Sequence, residues 1–500
     1  MIRPDSPKVM PVTANPAATE PTPAAPPPSG PPVNGWRELF DRQRAHYPAV
    51  RATTAAQRIE KLRHFHDTLL ARRGEVIEAV RADFRRPMAE VDMTESAIVL
   101  RELRHAMRNL RRWMRPRSVR TPLGIMGTSS EVRAEPRGVT LILSPWNYPV
   151  QLAFLPLISA IAAGNCVVLK PSEITPNSAA WMRRFLADLF PPDEIAVAEG
   201  DATVATELLR LPFDHIFFTG SPAVGKIVMR AAAEHLASVT LELGGKSPCV
   251  VDETADLEEA ATKIAWGKFA NSGQTCIAPD YVLVDERVRE ALTSALRRCI
   301  GEAYGGDAAK LASSPDFGRI VNARHHQRLR TLVDDAVGAG ATVLAGGESD
   351  GASNYLAPTL IGNVACESAL LHDEIFGPVL PIVAYHTFEE ALAFINAREK
   401  PLALYIFSRS HANVEAVLNH TSAGGTCVNE TLLHYFNENL PFGGAGNSGL
   451  GRAHGHAGFL SFSNERAVLR RAFPNPLVRF LYPPFGRGMK WLVNLLAKYL

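Results

Sequence analysis

The chain has 500 residues, 46% hydrophobic and 21% charged, with a formal net charge of +2. That length exceeds a single hydrophobic core and calls for two or more domains. The near-neutral balance argues against a nucleic-acid surface or a strongly acidic partner. The six cysteines, Cys166, Cys249, Cys276, Cys299, Cys366 and Cys427, stand apart without a CxxC pair. Neither a zinc site nor a disulfide framework is indicated, and a reducing compartment, the cytoplasm, is expected.

No stretch reaches the roughly 20 consecutive apolar residues that a spanning helix needs. The start, residues 1–34, contains Pro26-Pro27-Pro28 and Pro31-Pro32 and lacks the apolar core of a signal peptide. It reads as a disordered leader, because it cannot bury enough surface to offset its ordering entropy. Order is expected from near Trp36. From Thr53 to Phe84 the positions Ile59, Leu62, Phe65, Leu69, Val76, Ile77 and Val80 recur at helical spacing. A second helix is marked by Met93, Ile98, Leu100, Leu103, Met107, Leu110 and Met114, and its arginines, Arg101 to Arg112, read as a solvated face. Ser118 to Arg137 alternates like strands broken by Gly124 and Gly127, a hairpin leaving the globule.

Short strands and helices then alternate. Strands are expected at Val139–Ser144, Cys166–Lys170, Ile195–Glu199, His215–Thr219 and Val239–Leu243. Helices are expected at Leu152–Ala163, Ser178–Leu189, Val204–Leu211 and Val224–His235. This is a βαβ series with a parallel sheet, whose ligands bind at the carboxyl ends of the strands. Lys170-Pro171-Ser172-Glu173 follows one strand; it is either a turn with a solvated ion pair or a donor and acceptor for ribose hydroxyls. Phe218-Thr219-Gly220-Ser221 joins a strand to a helix start, where amides and the helix dipole suit a pyrophosphate. It is not the GxGxxG fingerprint. In Leu241-Glu242-Leu243-Gly244-Gly245-Lys246 a carboxylate sits inside an apolar run. Burial would raise its pKa toward a general base's range, unless it is a structural glutamate bonded to amides.

A second α/β unit follows, with strands near Pro248–Val251, Tyr281–Asp285, Thr342–Leu344, Thr359–Asn363 and Ala403–Phe407. Its helices are expected near Val288–Ala303, Arg324–Val337, Phe388–Ala397 and Asn413–Asn419. Between a helical run and the Tyr281 strand stands Asn271-Ser272-Gly273-Gln274-Thr275-Cys276. A cysteine on a Gly-containing loop is either a small buried apolar residue or a nucleophile. His325-His326 is placed on a basic helical surface, and no metal is expected there. Glu374-Ile375-Phe376-Gly377-Pro378 brings a carboxylate and an aromatic ring close together. Met489 to Leu500 reads as a short amphipathic tail helix.

Together with Pro145-Trp146-Asn147-Tyr148-Pro149 and Pro441-Phe442-Gly443-Gly444, these stretches, in this order, resemble the aldehyde dehydrogenase superfamily from about Trp36 to Arg471. Cys276-Ile277-Ala278-Pro279-Asp280-Tyr281, Asn447-Ser448-Gly449 and Leu481-Tyr482-Pro483-Pro484 are similar to its class 3 branch of fatty, aromatic and coniferyl-type aldehyde enzymes. The resemblance implies two doubly wound, Rossmann-like parallel-sheet domains with a protruding β oligomerisation arm. Its expected boundaries are 35–242 for the dinucleotide-binding domain (arm hairpin 117–137), 243–430 for the catalytic domain, 431–473 for a return segment and arm, and 474–500 for the tail. It implies NAD(P)-dependent oxidation of an aliphatic or aromatic aldehyde to the acid, with Cys276 as nucleophile, Asn147 as oxyanion donor and Glu242 as base. It assigns Trp146, Lys170, Glu173, Gly220, Ser221, Gly225, Glu374 and Phe376 to the cofactor. Glu173 favours NAD, with NADP as the alternative. A CoA-acylating or semialdehyde-specific enzyme and a fold kept without turnover are the rival readings. A homodimer and a peripheral membrane contact by the tail complete the expectations.

Overall fold

A computed structural model describes residues 33–122, 125–473, 482–484 and 486–499, so most of the leader and residues 474–481 of the tail lie outside it. Helices Val33–Arg51, Ala55–Ala71, Arg73–Phe84 and Ala97–Trp113 precede the first sheet. The single helix expected over Thr53–Phe84 is two. Thr54 and Gln57 form a capping box at the start of the first. The chain breaks at Arg72, whose guanidinium bonds Glu75 at 2.9 Å and Asp188 at 2.8 Å. The next helix is preceded by a widened π turn, Asp92–Ser96.

The first sheet runs in the order Gly449–Leu450, Ser238–Leu243, His215–Gly220, Val139–Leu143, Cys166–Lys170, Ile195–Val197. All its pairings are parallel except that of Gly449–Leu450. Strand order reverses beside Val139–Leu143: the next strand, Cys166–Lys170, lies on one side and His215–Gly220 on the other. A crevice opens at such a switch point, beyond the carboxyl ends of the strands. The loops carrying Trp146 and Asn147, and Gly220 and Ser221, leave the sheet there. Helix Gln151–Ala163 is apolar on all sides and buried between layers, as a helix of that composition must be.

The second sheet runs Thr342–Ala345, Thr359–Gly362, Val379–Tyr385, Tyr281–Asp285, Pro248–Val251, Ala403–Phe407, Gly425–Val428. It is parallel apart from the Thr342–Ala345 edge. Val379–Tyr385 and Gly425–Val428 are strands that the periodicity does not name. The first begins directly after Gly377-Pro378 and contains Pro381; the second follows Gly424 and is very short. Cys276 and Glu374 each lie just before a strand of this sheet, at its amino edge, which faces the carboxyl edge of the first sheet. The expected hairpin is a separate three-stranded antiparallel sheet, Arg117–Val119, Thr128–Pro136 and Ser463–Arg471. Among the described residues no helix is long and apolar enough to cross a membrane.

Candidate active site

Three consecutive residues before the cysteine have left-handed backbones: Asn271 (φ 51°), Ser272 (φ 52°) and Gly273 (φ 75°). For the two non-glycine residues this costs about 1–3 kcal/mol each and persists only where the surroundings over-determine it. Here the fixing groups are identifiable. Gln274 Nε2 donates to the carbonyls of Asn271 and Arg319, both at 3.0 Å, and its Oε1 accepts from Val321 N–H at 2.9 Å. A Cβ on Gly273 would stand 2.2 Å from the Gly377 carbonyl oxygen, so only glycine fits there. The turn aims Cys276 into the gap between the two sheets.

Asn147 reaches the same loop from the other domain. Its Nδ2 donates to Gln274 O at 3.0 Å, and its carbonyl accepts from Asn271 Nδ2 at 2.9 Å. A side-chain amide carries two hydrogens, so one remains for a ligand oxygen beside the thiol. The Tyr148 hydroxyl bonds Thr275 Oγ1 at 2.7 Å. Glu242 lies near the end of its strand, registered between Thr219 and Gly449, and both its carboxylate oxygens are buried with no hydrogen-bond partner among the described residues. Burial holds its pKa well above the usual carboxylate range, with Arg452 pulling partly against it.

Two cavities meet at Cys276. The first, about 280 Å³, is lined by Trp146, Asn147, Gly220, Ser221, Glu242, Cys276, Glu374 and Phe376, among others. The second, about 270 Å³, lies on the other side of the thiol. Its walls include Met93, Ile98, Trp266, Tyr304 and Phe436. Cys276, Leu152 and Tyr435 line both.

Opposing influences act on the thiol itself. Burial pushes it up to about 12, with the Glu374 and Glu242 carboxylates adding to the shift and the amides of Cys276 and Ile277 opposing it. The amides favour the thiolate but are outweighed by desolvation and the two carboxyl groups.

The residues around the first cavity suit a dinucleotide. Glu374 Oε1 is a buried acceptor with no partner, and burial beside Asp280 raises its carboxyl to about 8. A Cβ on Gly244 would meet Glu374 Oε2 at 2.1 Å, so the bare backbone admits the carboxylate. Ser221 caps helix Pro222–Ala233 by accepting from Val224 N–H at 3.4 Å, and Pro222 opens the helix. Gly225 lies in that first turn. Lys170 Nζ donates to Glu173 at 3.0 Å, with Lys170 buried and Glu173 partly exposed. These last three residues stand outside the cavity lining itself.

Sequence reasoning misplaced one pair and missed several walls. His326 is buried, its Nε2 2.9 Å from Tyr355 O, and half-buried His325 faces the Trp146 ring at 5.0 Å rather than lying on an open surface. His325, Arg328, Tyr435, Phe442 and His454 all line the first cavity. Trp146 in turn meets Phe376 edge to face at 5.3 Å. The helical period of 323–338 shows which residues face inward, but not that the inner face meets a ligand cavity.

The model of the "Aldehyde dehydrogenase family" matches residues 34–468. The chain belongs to the aldehyde dehydrogenase family. It is 42% identical over 462 residues to the "Probable coniferyl aldehyde dehydrogenase" of Pseudomonas aeruginosa, covering 92% of this chain and 96% of that one. It is 46% identical over 408 residues to human "Aldehyde dehydrogenase family 3 member B1", covering 81% and 86%. Among solved structures, the substrate-bound state of Staphylococcus aureus AldH superposes with a TM-score of 0.88 at 40% identity, over 92% of this chain and 99% of that one. These relatives set the chain in the class 3-like branch of the family. It is an oxidoreductase of the NAD(P)-dependent aldehyde dehydrogenase type, acting on aldehydes.

Proposed function

We propose that this aldehyde dehydrogenase converts apolar aliphatic or aromatic aldehydes to carboxylic acids, preferring NAD, through a thioester on Cys276. The observation that carries this reading is that Cys276 lines both cavities, one bordered by the dinucleotide-type residues and the other by apolar and aromatic walls. The aldehyde enters from the apolar side. The Cys276 thiol gives its proton to solvent, the thiolate sulfur attacks the carbonyl carbon, and the oxyanion is met by Asn147 Nδ2 and the Cys276 N–H. When bound, the dinucleotide supplies a hydride acceptor and a positive ring charge that offsets the burial of the thiolate. Glu242 takes a proton from water, and the resulting hydroxide attacks the thioester carbon and expels the thiolate with the acid. An amide at residue 242 could not accept that proton.

Lys170 and Glu173 hold the adenine ribose, with Gly220, Ser221 and Gly225 at the pyrophosphate. Glu374, Phe376 and Trp146 hold the nicotinamide end. The Glu173 carboxylate repels a 2′-phosphate, which is the reason for favouring NAD. A second role concerns assembly: among the described residues Ser463–Arg471 is an edge strand of the arm sheet and Leu469 on it is 57% exposed, which suits a homodimer contact. Helix Arg487–Tyr499 exposes Trp491 and Val493, which suits an entrance cover or a peripheral membrane contact. A cytoplasmic protein is in keeping with its free cysteines.

The test is a panel of benzaldehyde, cinnamaldehyde and a series of alkanals with NAD and with NADP, analysing product with and without coenzyme A. Free acid in both conditions and higher kcat/KM with NAD are expected. An acyl-CoA product formed only with coenzyme A would replace this reading with the acylating one.

A further inference from the structure

One buried carboxylate that takes no part in the reaction joins the loops of the site. Asp280, just beyond Cys276, is 4% exposed. Its Oδ2 accepts from Lys246 Nζ at 2.8 Å and from Ile375 N–H at 3.1 Å, and its Oδ1 accepts from Lys268 Nζ at 3.2 Å. Its own N–H donates to Ser247 O at 2.8 Å, and Lys246 Nζ donates again to Asp373 O at 2.8 Å. Lys246 ends the stretch that begins with Glu242. Ile375 lies between Glu374 and Phe376, and Lys268 lies in the last turn of the helix that leads to the cysteine loop.

Two buried ammonium groups therefore share one carboxylate. A buried ionic cluster is a weak source of stability, because desolvation cancels most of its attraction and apolar residues of similar volume serve as well. What it supplies is fixed geometry: its bonds set three backbone segments against one another. Glu374 is placed by the same arrangement, with its carboxylate on the Gly245 N–H and against Gly244.

We propose that Asp280 is a positioning residue, which sets the Glu374–Phe376 turn and the Gly244–Lys246 turn relative to Cys276 so that the nicotinamide end of the dinucleotide lies against the thiol. This rests on the reading of Glu374 and Phe376 as contacts of that end. Hydride transfer is sensitive to such placement: a displacement of about 1 Å can cost about a hundredfold in rate.

The test compares Asp280→Asn, the double variant Lys268→Met/Asp280→Asn, and Glu374→Gln with the parent. Asparagine keeps an oxygen for Ile375 N–H but removes the charge that the lysines share; the added Lys268→Met takes away one ammonium group and restores the net buried charge. The measurements are dinucleotide KM, single-turnover dinucleotide reduction with benzaldehyde, and alkylation of Cys276 by iodoacetamide without dinucleotide. In both Asp280 variants, dinucleotide KM should rise and single-turnover reduction should slow by about tenfold or more. Alkylation should stay within about twofold of the parent. If Asp280→Asn does not fold, the charge-restored double variant is the one read. KM and reduction within about twofold of the parent in either folded variant overturn the proposal. So does alkylation falling in step with reduction, which a general loosening of the loop would produce. If Glu374→Gln raises KM while the Asp280 variants do not, only the positioning role fails. If none of the three raises KM, the cofactor reading of Glu374 fails with it.

Discussion

At Asn147 and Glu242 the chemistry depends on groups whose hydrogen bonds are only partly used. Asn147 spends one amide hydrogen on Gln274, and the proposed mechanism gives the other to the oxyanion. Asn147→Ala should lower kcat by about 10²–10³-fold, as loss of one such donor does elsewhere, with the fold unchanged by circular dichroism. Glu242 is buried and unpaired, so its neutral form is favoured in the folded protein. A base acts deprotonated. Acid release should therefore rise with pH over a limb lying well above the ordinary carboxylate range, and Glu242→Gln should lose that limb. The same variant should keep its first-turnover burst of dinucleotide reduction, measured by stopped flow. A pH profile unchanged by the substitution would remove Glu242 as the base.

The decisive element is the loop Asn271–Cys276. Its three left-handed residues are held by Gln274 and Asn147, and the Gly377 carbonyl leaves no room for a side chain at Gly273. Gly273→Ala should destabilise the protein by about 1–3 kcal/mol from backbone strain alone, with a further cost from the clash, and should reduce activity more than it reduces the melting temperature. The tail helix offers a second prediction at this scale. Deleting residues 485–500 should alter the ratio of kcat/KM for long-chain over short-chain aldehydes if the helix covers the entrance. An unchanged ratio would leave the helix without that role.

Across the whole molecule, what was legible in the sequence was what is encoded locally. Strand Cys166–Lys170 and strand Tyr281–Asp285 have the limits their apolar runs imply, and the site loops lie at strand ends that Gly and Pro mark. The strand Val379–Tyr385 was hidden by Pro381, and the ion pair that flanks the break at Arg72 reaches Asp188, far along the chain. The convergence of Lys246, Lys268 and Ile375 on Asp280 was hidden for the same reason, since no spacing brings them together. Nor could the sequence foresee the raised thiol, because it results from enclosure by both sheets. At this scale the arm sheet carries its own prediction. On the proposal that this edge is a homodimer contact, sedimentation velocity should show a dimer for the parent and a monomer for Leu469→Asp, and a dimer unaffected by that charge would place the contact elsewhere.

The most direct test is to trap the acyl enzyme. Glu242→Gln is mixed with hexanal and NAD, quenched in acid during the burst, digested and mapped by mass spectrometry. A hexanoyl thioester is expected on the peptide carrying Cys276 and on none of the peptides carrying the other five cysteines. Dinucleotide reduction at the parent's burst rate with Cys276 unmodified, or with the acyl group on another residue, would contradict it.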